Sequence, residues 1–168
     1  MFCEKIVSIA MFETSKKLKA AIMRGTTDTG NGEGDPTGVV EIIELLKEHP
    51  HFISEAVKHL KARIKDRNPT TSCIAMDLLN QCMQNMGHDF QLHVIKKVLQ
   101  RILKFSISRD QHPQVQQKAA AYISIWADTY GTDELLIDFS KCAEERLRTE
   151  EARREAGFPS HCAITVST

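Results

Sequence analysis

The chain has 168 residues, enough for one domain with a substantial core, and its 22 basic side chains balance 22 acidic ones. A neutral balance speaks against a general nucleic-acid binder, and no apolar run has membrane-spanning length. The N-terminus carries Glu4 and Glu13 and no long apolar stretch, so it is not a secretory signal, and five cysteines read best as reduced thiols in the cytosol.

The first predicted helix runs from about Cys3 to Arg24. Ile6, Ile9, Ala10, Phe12, Leu18, Ala21 and Ile22 form its apolar pattern, Lys5, Lys16, Lys17 and Lys19 lie largely off it, and Thr14-Ser15 is a possible break. Gly25 to Asp35 is a loop by composition. A phosphate-cradling loop needs a Lys-Ser/Thr after its last glycine, which is missing here. A calcium loop starting at Asp28 or Asn31 needs a glutamate twelve positions in, where Val39 and Ile42 stand.

Asp35-Pro36 is an N-cap followed by proline at the first helical position, and Val39, Val40, Ile42, Ile43, Leu45 and Leu46 carry this second helix to His49-Pro50. A third helix follows over about His51–Arg67, with Lys58, Lys61, Arg63, Lys65 and Arg67 on its outer face. Asn68-Pro69 opens the central helix, which extends toward Phe90. Its arc of Ala75, Leu78, Leu79, Cys82, Met83 and Met86 is too wide for a surface helix, and Gly87 is expected to end it in a left-handed cap.

Leu92–Ser106 is again helical, with Lys96, Lys97, Arg101 and Lys104 on its polar side. A turn at Asp110–Pro113 precedes a helix over Gln114–Tyr130 that sets Val115, Ala119, Tyr122, Ile123, Trp126 and Tyr130 on one face. The last helix spans about Asp133–Ala156, with Leu135, Leu136, Phe139, Cys142, Ala143 and Leu147 inward and a charged second half. Gly157-Phe158-Pro159 breaks it. No segment alternates with a two-residue period, so the fold is expected to be all-α, with seven or eight helices in one domain over 1–159 and a flexible tail over 160–168.

The span from Pro36 to Pro159 resembles the VHS domain of endosomal and Golgi sorting adaptors. The resemblance is carried by Ala62-Arg63-Ile64-Lys65 before Asn68-Pro69, the run Ala75 to Cys82, Asn85-Met86-Gly87, Phe90 and Val94. His112-Pro113-Gln114-Val115, Ile125-Trp126-Ala127-Asp128 and the closing Gly157-Phe158-Pro159 complete it. It implies a right-handed superhelix of helices and no catalysis or cofactor. It also implies a cytoplasmic protein peripheral to endosomal or Golgi membranes, acting in vesicular transport, in a chain expected to continue past Thr168.

Some members of that family bind ubiquitin through the second and fourth helices. Carried over, this site comprises Val40 with the polar edge Asp77, Asn80, Gln81 and Gln84, but Pro36 stands where those members place tryptophan. A Golgi subset binds acidic dileucine peptides between the sixth and eighth helices. Lys96, Lys97 and Arg101 lie near that groove, although the subset's aromatic-arginine-asparagine pattern is missing.

Two rival readings come from similar helical folds. One is a phosphoinositide-binding module that uses the stripe Lys58, Lys61, Arg63, Lys65 and Arg67. The other is a domain that reads the phosphorylated tail of RNA polymerase II. The seven histidines and five cysteines show no zinc spacing, so no metal, no enzyme constellation and no nucleic-acid partner are expected.

Overall fold

A computed structural model describes residues 2–158, with side chains from residue 5 onward. The described residues form helices joined by turns and one longer loop over residues 26–35, without strands. The helices are α1 Phe2–Gly25, α2 Pro36–Glu48, α3 Ile53–Ile64, α4 Pro69–Asn85, α5 His88–Val94, α6 Gln100–Ile107, α7 Pro113–Tyr130 and α8 Asp138–Glu155. A turn of π-helix over Ile95–Leu99 links α5 to α6, and short 3-10 turns precede α3 and α8. The expected tail beyond Pro159 lies outside the described residues.

Helix starts follow from local chemistry. Asp35 and Asn68 each accept the backbone N–H two residues on, at 2.9 Å, and each is followed by proline at the first helical position. His112 does the same for α7, accepting from the Gln114 N–H at 3.3 Å ahead of Pro113. A proline there gives up only an N–H that has no partner inside the helix anyway.

Helix ends are less uniform. Gly157 takes the left-handed conformation, with φ of 78°. The Phe158 N–H then donates to Arg153 O and the Gly157 N–H to Arg154 O, the double closure of a Schellman motif. Gly87 does not do this. Its φ is −87°, α4 ends two residues earlier with Met86 extended, and Gly87 is the N-cap of α5, its carbonyl accepting from Phe90 and Gln91. Phe90 therefore belongs to α5, where it is fully buried.

The chain divides into two compact units, residues 1–98 and 99–168. In the first, α4 packs against α1, α2, α3 and α5, which explains its wide apolar arc. Buried residues include polar Thr71 and Ser72, the Ser72 hydroxyl donating to Ile64 O at 2.6 Å. Helices α1 and α2 cross at glycines: a methyl on Gly38 would lie 2.7 Å from Gly25 N and 2.9 Å from Ala21 O. In the second unit α6, α7 and α8 pack on one another. Trp126 is stacked on Tyr122 at 5.4 Å between ring centroids and meets the Phe139 ring edge-on at 5.9 Å.

Two inner faces differ from the sequence expectation. α1 is one unbroken helix, but only its second half is packed: Leu18, Ala21 and Ile22 are buried, whereas Ile6, Ile9 and Phe12 are about 60% exposed. Among the described residues none covers the first turns, and from Ser15, whose hydroxyl donates to Glu55 of α3, the helix lies against the body. In α8 the stripe Phe139–Cys142 continues to Arg146 rather than Leu147. Arg146 is 11% exposed, with its Nη2 donating to Glu150 at 2.6 Å, and Leu147 is solvated, one residue and about 100° off the stripe. Leu135 is likewise exposed, leaving Leu136 to enter the core.

Candidate functional site

The carried-over α2 and α4 residues divide by exposure. Val40 points outward from α2 with 57% of its surface free, and Gln81 and Gln84 are exposed on α4. Asp77 and Asn80 are half-buried and already engaged in other interactions. α2 packs directly on α4, and Pro36, at the start of α2, is exposed. An aliphatic side chain on an otherwise polar helix surface offers a small contact, and no aromatic neighbour stands a turn away to anchor it.

Of the residues expected to attract an acidic peptide, Lys96 is exposed on the π-helical turn. Lys97 is turned onto Ser54, its ammonium donating to the Ser54 hydroxyl and, at 3.2 Å, to the Ser54 carbonyl. Arg101 is half-buried, its guanidinium 6.0 Å from the centre of the Phe105 ring. The α3 stripe also loses a member. Lys58, Lys65 and Arg67 are exposed and Lys61 is half-buried, but Arg63 folds inward. Its Nε donates to the buried Thr26 hydroxyl at 2.8 Å and its Nη1 to Asp66 at 3.1 Å. That guanidinium ties the end of α3 to the end of α1 and is not free for a membrane.

A concave feature that the sequence did not single out lies in the second unit. It is a cleft of about 590 Å³ whose cationic side is formed by Arg109, Arg148 and Arg153. Ala152, Ala156 and Phe158 supply apolar wall, and Glu145 is the single carboxylate lining it. Arg109 lies over the Phe158 ring at 4.1 Å, a cation–π contact that holds the guanidinium at the mouth. The Schellman closure at Gly157 turns Phe158 back toward α8, so the cleft depends on that cap. Arg109, from the turn before α7, and the end of α8 are far apart in sequence, which hides the cluster from any local pattern. A visible signal was the run of arginines in a helix half otherwise read as solvated.

Titration behaviour follows from burial. Desolvation pushes the Cys82 thiol up to about 12, and the Cys142 thiol likewise, with Glu145 adding to the rise. Both thiols stay protonated at neutral pH and are poor nucleophiles. Alkylation of the native protein, read by peptide mapping, is expected to spare Cys73, Cys82 and Cys142 and to modify all three after denaturation. These two folded thiols keep their protons while unfolded ones release them near 9, so stability is expected to fall as pH rises from about 9 toward 12. Alkaline urea titrations of Cys82→Ala and Cys142→Ala that match the wild-type slope would refute that assignment. Asp35 moves the other way. Hydrogen bonds from the Thr37 hydroxyl and N–H, and the charge of Arg24, lower its pKa, so its cap persists in mild acid. Among the described residues no group of three His, Cys, Asp or Glu is arranged to hold a metal ion, and no helix is long and apolar enough to cross a membrane.

Comparison with known proteins agrees with this architecture. The chain is 32% identical over 126 residues to TOM1-like protein 2 of Mus musculus, covering 73% of this chain and 25% of that protein. It is 23% identical over 136 residues to vacuolar protein sorting-associated protein 27 of Yarrowia lipolytica, covering 80% and 24% respectively. A probable ADP-ribosylation factor-binding protein of Schizosaccharomyces pombe is 26% identical over 85 residues, half of this chain and 16% of that protein. The chain thus spans about a quarter of the length of the first two relatives. The VHS domain model matches residues 13–145, and the chain belongs to the VHS domain family.

Proposed function

We propose that this chain is a cargo-reading domain of a vesicular sorting adaptor, and that an acidic peptide with aliphatic side chains is what it reads. The observation that carries this is the cleft in the second unit, where three arginines border an apolar wall of Ala152, Ala156 and Phe158. A peptide combining carboxylates with leucine-like side chains matches both halves of that lining. Arginine suits the task because its planar fork donates two parallel hydrogen bonds to a carboxylate. Family membership and the names of the relatives favour sorting over the rival readings of a phosphoinositide module or a polymerase-tail reader.

A second ligand, ubiquitin, is favoured by the exposure of Val40 on α2. With Pro36 in place of an aromatic anchor, its binding is expected to be the weaker of the two. One experiment addresses both ligands: chemical-shift titration of the chain with an acidic dileucine peptide and, separately, with ubiquitin. The peptide is expected to move resonances around Arg109, Arg153 and Phe158, and Arg153→Glu is expected to weaken it by about tenfold. Ubiquitin is expected to move Val40 and Asp77. A spectrum unmoved by the peptide would sink the first site, and one unmoved by ubiquitin the second.

A further inference from the structure

The face of α1 that points away from the body carries a continuous exposed stripe. Lys5, Ile9, Phe12, Lys16, Lys19 and Met23 follow one another at spacings of four, three, four, three and four, which places them on one side of the helix over about 27 Å. All six are exposed, Ile9 by 63%, Phe12 by 59% and Met23 by 44%. The opposite side, with Leu18, Ala21 and Ile22, is the one buried against the rest of its unit.

We propose that this stripe docks on an anionic membrane surface. Three large apolar side chains are interspersed on it with three lysines, and no carboxylate stands in the line. Glu13, beside it, approaches Lys16 at 3.8 Å, but both are well exposed and the pairing is weak. A solvated helix face mixes both signs of charge and keeps large apolar groups off it. Lysines with apolar neighbours suit a bilayer interface instead. There the apolar tips enter the headgroup–acyl boundary, and the flexible ammonium stems reach back to lipid phosphates and carboxylates. Lys16 already lies along Phe12, 4.4 Å from its ring centre, so both can meet the surface together.

A second copy of the chain is a poorer occupant. Packed on itself in parallel, the stripe sets lysine against lysine. Packed antiparallel, it lays Lys5, Lys19 and Lys16 on Met23, Ile9 and Phe12, covering ammonium groups with no carboxylate in the line to pair them. Val7 and Met11, in the first turns of α1, add to the apolar surface exposed among the described residues. Apolar contact and positive charge are each marginal membrane signals alone, and they reinforce one another when combined.

The test is co-sedimentation of the full chain with vesicles of phosphatidylcholine containing phosphatidylserine, with pure phosphatidylcholine vesicles as the comparison. The wild-type chain is expected to bind the anionic vesicles only. The double variants Ile9→Glu/Phe12→Glu and Lys16→Glu/Lys19→Glu are each expected to bind about tenfold less. Because these positions are solvent-facing, the unfolding temperature is expected to stay put, and Arg153→Glu is expected to leave vesicle binding intact. Failure to bind anionic vesicles, equal binding to neutral ones, or undiminished binding by either variant would overturn the proposal. So would a wild-type dimer that Ile9→Glu/Phe12→Glu converts to monomer, since that would assign the stripe to self-association.

Discussion

Trp126→Ala is expected to lower the unfolding free energy by about 3–5 kcal/mol, the range for removing a large aromatic side chain from a packed core. Trp126 is fully buried and is clasped by Tyr122 and Phe139, so its loss leaves a cavity that those two rings, held on separate helices, fill only partly. Phe139 is also in contact with Tyr130, 5.6 Å away, and the cluster loosens as a group. Against a typical total of about 5–15 kcal/mol the change is large enough to leave the variant partly unfolded at growth temperature. Trp126 is the only tryptophan, so its fluorescence disappears with the substitution and urea denaturation has to be followed by far-ultraviolet circular dichroism. Trp126→Phe, which keeps a ring in place, should lose clearly less. A Trp126→Ala midpoint within error of wild type would show that the cluster is not the core of its unit.

Gly38→Val is the second large effect, and its sign is set by two opposed terms. Replacing glycine by valine in a helix gains less than about 0.5 kcal/mol of propensity, because valine is itself among the poorer helix formers. The new Cβ, however, would lie 2.7 Å from Gly25 N and 2.9 Å from both Gly25 Cα and Ala21 O. All three are backbone atoms of α1, which cannot step aside as a side-chain tip does. The helices must separate, and Gly25 is itself packed close to Leu78 of α4, at 3.3 Å from its own hypothetical Cβ. A net loss of about 3 kcal/mol is expected, at the upper end for overpacking because the strain spreads to α4. The denaturation midpoint by circular dichroism reads this directly, with Gly38→Ala intermediate. A midpoint at or above that of wild type would mean that the α1–α2 crossing yields without cost.

These two positions were not equally visible beforehand. Trp126 announces itself as core because Val115, Ala119, Ile123 and Trp126 recur at helical spacing behind a proline cap. Gly38 gives no such signal. Its neighbour Val40 and the apolar run that follows describe one helix, whereas the constraint on Gly38 comes from the backbone of another helix.

The candidate sites divide in the same way. Val40, Gln81, Gln84 and Lys96 stand on the surface as their helical positions suggested. Lys97 and Arg63 do not, since each found a partner on a different element, Ser54 in one case and Thr26 in the other. The arginine cleft shows the converse, residues far apart in the chain that folding brings together around one cleft. Long cationic side chains are especially hard to place from sequence, because a flexible stem can reach either a protein carbonyl or water at similar cost.

Read in order, the amino acids alone sufficed for the helical class, for the proline-led helix starts of α2, α4 and α7, and for the family. By contrast, α5 starts at His88 rather than Leu92 and α8 at Asp138 rather than Asp133. A cap residue, a following proline and apolar spacing act within a few residues of one another, so their outcome is encoded locally. The same spacing left open which side of α1 is covered. Nine residues separate Ile9 from Leu18, at about 100° per residue a half-turn away, so the two cannot share a face; the body lies on the Leu18 side. That choice belongs to α2, α3 and α4, whose packing buries Leu18, Ala21 and Ile22 and leaves Ile9 and Phe12 exposed. Burial is a long-range property, settled by the partners a face meets, and folding is the first point at which those partners are present.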